Sequence, residues 1–547
     1  MLMALAITLL PHEVVGCIVD YLNLHDIRAL RYSCRGLGAT VTASSRFRSF
    51  CTQKEVHLRV SSLEELTARL STSDGTECQL EHLTLTGVLW VTKGLERILR
   101  DRTKPSNLED PCGVRSRPKR LPAAPVDLVA AEVQLGDFRN RLRDEQEDHG
   151  TGRTLHCLVE LFKVIGSRCK KKGLSSLKLS VEVYREQTTP LTPAVGTAWP
   201  QIWNLAEQVF TISMQAWERS GVNIERLDVF SGMESCSIQA YDVAILQEQL
   251  DFHDLHGLKD LALSISNRVL PLSFDNRWSD LDADDEVLLS DQRMAGRAQR
   301  RPRPDQRATA ELIEQCKTML ESSKNYIGVS EWLKKTPDLE KLQLRDYLVI
   351  SGLTDNDRLP IVTQAGAAIQ SIADNAPLPK LKQLTLRICA DIELEAMMAI
   401  LRNSPDLESI HLQNVTVIVS NSISWEPVLA HITSPSAKLT HIHLDSLFET
   451  EGRVSRYIIC FTPGTNPGDS ICTGEDAETR LERLMLPPEW SFCRPGAHGY
   501  NALELNDRSA VLRGIRHRAN QNYIVGSVQQ GMWMEQRRQQ HGPTGRF

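Results

Sequence analysis

One phrase, L-x-x-L-x-L with Ile or Val at some positions, keeps returning along this chain. It begins at Leu80, Leu174, Ile224, Leu258, Leu339, Leu381, Leu407, Leu439 and Leu481. Leu, Ile and Val are common residues, so matches alone prove little. What surrounds them says more. "WLKKTPDLEKLQL" ends at Leu344 and "ILRNSPDLESIHL" ends at Leu412. Both read as a helix, a Ser/Thr-Pro-Asp breaker, then a half-buried strand. Proline disfavours helical backbone in the residue before it, and Asp favours the turn. "HITSPSAKLTHIHL", ending at Leu444, is a looser third copy. A chain that repeats this order must stack its units side by side to bury their apolar faces.

The intervals from Leu339 onward are 42, 26, 32 and 42 residues. Regular leucine-rich repeats run about 20–29 residues, and their Asn or Cys after the last Leu is missing in register here. The expected body is therefore an irregular, leucine-rich-repeat-like α/β solenoid. The competing reading is a non-repeating α/β domain with chance leucines. At its start, "KEVHLRV" alternates as a strand over Val56–Val60. Ser62 and Glu65 are spaced as a capping box for a short helix, and a second strand follows around Leu83 and Leu85.

At 547 residues the chain is too long for one ordinary compact core. The expected division is a helical unit at 9–51, a strand–helix–strand unit at 52–100, and solenoid at 127–266 and 308–490. Residues 101–126, rich in Pro and charge, read as a mobile linker. Residues 267–307 run from acidic "SDLDADDE" to basic "RRPRPDQR" and read as a disordered loop. Residues 491–547 read as a cap and a disordered tail, the aromatic cap stretch "EWSFCRPGAHGY" starting at Glu489.

A formal net charge of −6 gives no global reason for nucleic-acid binding. The basic runs "RSRPKR" and "RRPRP" read as solvated loops. The 13 cysteines include no C-x-x-C pair. They read as small buried hydrophobes in a reducing compartment. "MLMALAITLL" is about half the length of a spanning helix and lacks a basic n-region, so it reads as a lead-in to the first helix. The expected protein is soluble, cytoplasmic or nuclear, with no membrane partner.

"LLPHEVVGCIVDYLNLHDIRALRYSCRGL", Leu9–Leu37, is the most telling local stretch. A first helix is expected from Pro11 to about Tyr21, with proline in its first turn and Glu13 near its positive end. Val14, Ile18 and Leu22 recur every four residues on one apolar face. Asp26 is the expected N-cap of a second helix. Ile27, Leu30, Cys34, Leu37 and Val41 would form its seam, with Gly36 and Gly38 weakening it slightly. A third segment holds Phe47 and Phe50. So small a unit cannot bury much surface and must pack against something else.

This stretch resembles an F-box. The matching features are the Leu-Pro-x-Glu-Val opening, the Ile and Leu of the first helix, Asp26-Ile27-x-x-Leu30, and the Cys34-Arg35-x-Leu37 ending. F-boxes often have an aromatic after the Arg, where this chain has Gly36, Leu37 and Gly38. The resemblance covers about 42 residues of this chain, Leu9–Phe50, and degenerate leucine-rich repeats often follow an F-box. It implies a three-helix F-box ahead of the α/β solenoid, docking to the Skp-type adaptor of a Skp–cullin–F-box ubiquitin ligase. The residues it assigns to that contact are Leu10, Pro11, Glu13, Val14, Ile18, Leu22, Asp26, Ile27 and Leu30. Through the Skp-type subunit the chain would reach a cullin, and through its solenoid an unknown target protein. Two rival readings are a Skp-binding protein outside any ligase and a leucine-rich-repeat scaffold with no ligase link.

Nothing in the sequence assembles an enzyme. The phosphate-loop, dinucleotide, nucleophile-elbow and H-E-x-x-H patterns are all missing. His431, His441 and His443 read as solvated strand-face residues rather than as metal ligands. No catalytic residue, cofactor or metal is expected.

Overall fold

The computed structural model describes residues 10–72, 79–105, 120–169, 173–184, 199–233, 236–250, 255, 257–267, 318–319, 321–347, 366–389, 391–419, 425–432, 434, 437–451, 455–459, 502–505 and 519–520. Four short helices lead: α1 (His12–Asp20), α2 (Leu24–Ser33), α3 (Arg35–Ala43) and α4 (Ser45–Thr52). Strands and helices then alternate. β1 (Gln53–His57) and α5 (Val60–Thr72) precede β2 (His82–Trp90). α6 (Lys93–Asp101), α7 (Pro125–Gly150) and α8 (Arg153–Arg168) precede β3 (Ser176–Tyr184). α9 (Trp199–Ser220), β4 (Arg226–Val229), α10 (Ala240–Gln249), β5 (Asp260–Ser266), α11 (Lys324–Lys334) and β6 (Lys341–Tyr347) follow. The series continues with α12 (Ala367–Asn375), β7 (Gln383–Arg387), α13 (Leu394–Arg402), β8 (Ser409–Val419), α14 (Glu426–Ile432) and β9 (His441–Glu451).

β1 to β9 lie side by side in chain order, each parallel to the next. Beyond β9 the sheet turns antiparallel, with β10 (Ser455–Ile459) and β11 (Ala502–Leu505) both pairing to β9. The fold is mixed α/β, built on one large and mainly parallel sheet.

The leucine phrases set its register. Leu83, Leu177, Leu227, Leu261, Leu342, Leu384, Ile410 and Ile442 form one continuous row of Cα partners. Two residues on, Leu85, Leu179, Val229, Leu263, Leu344, Leu386, Leu412 and Leu444 form a second. Every one of these side chains is buried. The leading residue of each phrase, from Leu80 to Leu439, is buried too. The ninth phrase, from Leu481, lies outside the described residues. Because side chains alternate across a strand, both rows face one way. The helices supply the opposite wall of that core, through residues such as Leu63, Phe162, Trp203, Val243, Trp332, Ile369 and Met397.

The breaker works as its composition demands. α11 ends at Lys334, and Thr336 closes the turn by donating N–H and Oγ1–H to the Leu333 carbonyl. Leu339 N–H then bonds to Thr336 O. Ser404 and Leu407 repeat the two backbone bonds after α13. Below the strands a further backbone row carries the ladder on: Lys259 donates to Glu225, Glu340 to Lys259, Lys382 to Glu340 and Glu408 to Lys382.

Several expectations shift. β1 occupies 53–57 rather than Val56–Val60, and α5 begins at Val60, so Ser62 lies inside the helix and caps nothing. Within the segment 101–126, residues 103–105 pair antiparallel with 120–122 and Pro125 opens α7, while 106–119 lie outside the described residues. α6 and α7 close a second small core on the end of β2, with Val88, Trp90, Leu95, Ile98, Leu135 and Phe138. Cys236 and Cys389 are buried as expected, but Cys17 is exposed and Cys169 is disulfide-bonded. The acidic and basic runs of 267–307 beyond Asn267, "RSRPKR" up to residue 119, and the aromatic cap all lie outside the described residues. Among the described residues no helix is long and apolar enough to cross a membrane.

Candidate functional site

The leading helices form a unit with its own core, separate from that of the sheet. Val15 and Val19 of α1, Ile27 of α2, and Leu37 and Val41 of α3 are its buried centre. Pro11 takes the N-cap position of α1, and its carbonyl accepts from both Val14 and Val15 N–H. Glu13 lies in the first turn, exposed.

α1 is apolar on two sides. Val15 and Val19 turn inward. Leu10, Val14 and Ile18, four residues apart, stand 37%, 42% and 37% exposed. Tyr21, at the helix end, extends that exposed line at 92%. Four-residue spacing puts Val14 and Ile18 one above the other on the helix face, and Leu10 precedes the Pro11 N-cap. The expected companion Leu22 is instead half-buried, packed with Leu30, Cys34, Phe47 and Phe50 on the unit's own core. Ile27 is wholly enclosed. It holds the helices to each other and is unavailable to any partner, contrary to the assignment from the resemblance.

Two local details also correct the sequence reading. The N-cap of α2 is Asn23, not Asp26. Asn23 Oδ1 accepts the Asp26 N–H at 3.0 Å, and Asn23 Nδ2 donates back to Asp26 Oδ2 at 2.7 Å. Asp26 therefore completes the cap from the first turn. The seam from Ile27 to Val41 is not one helix. Cys34 is extended (φ −160°, ψ 159°) and separates α2 from α3, so four helices form where three were expected. Gly38 is there for contact. A Cβ on it would stand 2.9 Å from the Arg31 carbonyl, so the glycine lets α3 cross α2 closely.

A second surface is the strand face turned away from the helices. Its outward positions on β6 to β9 are Lys341, Gln343, Arg345 and Tyr347, then Gln383, Thr385 and Arg387, then Ser409, His411 and Gln413, then His441 and His443. Arg387 Nε donates to Gln413 Oε1 at 2.8 Å. The rings of His411 and His443 lie 4.1 Å apart, centroid to centroid. His441 and His443 thus do share a strand face, while His431 sits apart on α14. Burial and Arg402 both lower the pKa of His431. Among the described residues no group of three or more His, Cys, Asp or Glu is placed to hold a metal. The sequence reading passed over Arg345, Arg387 and His411. Their signal was present as the "x" positions of the leucine phrases and the residues that follow them.

No protein-family model matches the chain, and no curated protein matches it. The functional reading rests on these two surfaces.

Proposed function

We propose that the chain is a substrate adaptor of a Skp–cullin–F-box ubiquitin ligase, acting in the cytoplasm or nucleus. In this reading α1–α4 are the F-box and dock a Skp-type subunit. The sheet and its helices are an irregular leucine-rich-repeat-like solenoid that presents a target protein. Other subunits catalyse ubiquitin transfer, and this chain contributes proximity and orientation.

The observation that carries the proposal is the exposed Val14 and Ile18 on a helix whose other side is already packed, with the exposed Leu10 just ahead of it. In this reading the exposed Pro11, Glu13 and Asp26 and the half-buried Leu22 and Leu30 also contribute to the contact. Covering the three exposed aliphatics would contribute roughly 3 kcal/mol, since each leaves about two-fifths of a side chain to bury. The in-order parallel strands and the aligned leucine rows support the solenoid part.

Replacing Pro11 and Ile18 together by glutamate tests the reading, because neither belongs to the helices' buried core. The expected result is loss of the co-purifying Skp-type subunit and cullin, with an unchanged melting temperature. Undiminished co-purification of the Skp-type subunit by the double variant would refute the docking role. Its retention without any cullin would remove the ligase.

A further inference from the structure

The inward face of α7 changes character along its length. Ala131, Leu135 and Phe138 sit in the small core on the end of β2, with Leu142 packed against it. The next positions on that face are Glu145 and His149. Glu145 pairs with Arg59, just beyond β1, and accepts the Trp90 indole N–H at 3.1 Å. One turn on, His149 lines a cavity with Leu58, Arg59, Glu145, Leu205 and Val209. Its Nδ1 is buried and has no hydrogen-bond partner among the described residues.

A neutral imidazole tolerates that position, because Nδ1 can be its bare nitrogen. Protonation puts an N–H there with no acceptor, which is costly in a buried place. The charges around the ring bring no relief. Arg59 is a like charge on the same cavity. The Glu145 carboxylate is already engaged by Arg59 and Trp90. His57, two residues before Arg59, pairs with Glu182 at 3.3 Å. Asp148, on the same helix end, is held by Arg153 of α8 at 2.9 Å. The residues that β2 and α9 give the cavity carry no charge. Burial accordingly lowers the His149 pKa, against the pull of Asp148.

We infer that the C-terminal turns of α7 are an acid-sensitive clasp, docked on the first strands while His149 is neutral and released when its ring takes up a proton. The clasp is independent of the adaptor reading. A group whose pKa is lowered in the docked state favours release as pH falls through its ordinary value of 6.5. A docked ring that took up no proton at all would make release about thirtyfold more frequent at pH 5 than at pH 7.5. Two effects reduce that ceiling. The C-terminal end of a helix attracts a cation. Burial also raises the Glu145 pKa, so proton uptake there favours the docked helix. The inward residues of the preceding turns, Ala131, Leu135 and Phe138, do not titrate, so that half of α7 stays in place.

Amide hydrogen exchange of the full chain tests the clasp, with protection expressed against the unstructured exchange rate at each pH. From pH 7.5 to pH 5, protection over residues 142–150 should fall at least fivefold, and that over 131–138 less than twofold. His149→Gln and His149→Met remove the titrating ring in two ways, one polar and one apolar, so a variant that fails to fold leaves the other. In each, protection over 142–150 should change less than twofold between the two pH values. A wild-type fall below fivefold over 142–150, a fall of twofold or more over 131–138, or a fall of twofold or more over 142–150 in a folded variant would overturn the inference.

Discussion

Asp346 offers a sharp test of how the sheet is built. It holds the third inward position of β6, after Leu342 and Leu344, opposite Ile265 of β5. There it is 6% exposed. Burial alone raises its pKa from 3.8 to about 7. Its neighbour Cys389 is also buried, and its thiol pKa is pushed up, by desolvation first and by the Asp346 charge second. A raised folded-state pKa means the native state binds the proton more tightly than the unfolded chain. Below the unfolded value both states are protonated, and the group costs nothing. As pH rises from 3.8 toward 7 the folded state progressively loses that advantage. Above about 7 the loss saturates at three pKa units, about 4 kcal/mol. Asp346→Asn keeps the shape and removes the charge. Urea unfolding followed by tryptophan fluorescence at pH 5 and pH 8 measures the difference. The variant should gain roughly 2 kcal/mol over wild type at pH 5 and about 4 kcal/mol at pH 8. A constant offset from the amide itself cancels between the two pH values. A gap that does not change with pH, or one that turns against the variant at pH 8, would show that the carboxylate is charged and stabilised in the fold.

Two further perturbations probe how the helices are held. Gly328 in α11 meets α10 so closely that a Cβ would stand 2.6 Å from Ala244 N and 2.9 Å from Ala240 O. Gly328→Ala should therefore destabilise by about 2 kcal/mol, reversing the gain of about 1 kcal/mol that alanine brings to an open helix; a higher urea midpoint would refute the close packing. Glu145 of α7 pairs with Arg59 at 2.5 Å and accepts the Trp90 indole N–H at 3.1 Å. Glu145→Ala leaves a largely buried Arg59 unpaired and should cost about 3 kcal/mol, read as a lower urea midpoint with increased exchange of α7 amides.

The strands were legible because their signal is a local alternation repeated in one frame. Leu-x-x-Leu-x-Leu fixes which side chains face inward, and a one-residue slip would turn a whole row outward. Eight of the nine phrases consequently align. What was not legible depends on contact between distant segments. Cys34 looked like the middle of a seam because its spacing from Leu30 and Leu37 suits a helix, yet the backbone is extended there and Gly38 lets the next helix cross. Ile27 looked like a docking residue because pattern alone cannot say whether an apolar side chain faces a partner or its own unit. On α1, Val15 and Val19 supply the inward face, and Val14 and Ile18 stay exposed, as does Leu10 ahead of it. That Arg345 lies in register beside Arg387, 42 residues later, likewise depends on the pairing of distant strands.

Register and loop length are decoupled in this sheet. Successive strands align after as few as 26 residues, from Gln383 to Ser409, and as many as 94, from His82 to Ser176. Loop closure grows only slowly with length, so insertions of this size leave the leucine rows aligned. Crossovers that vary so widely cannot hold fixed side chains in a common frame. The outward strand positions can, because the same buried rows that hold the core fix their spacing at about 4.8 Å per strand. A charge on that face is therefore positioned by the hydrophobic core behind it. Arg345 and Arg387 stand opposite each other because Leu344 and Leu386 do. Exchanging those leucines for residues that shift the register would move the guanidinium pair without touching it.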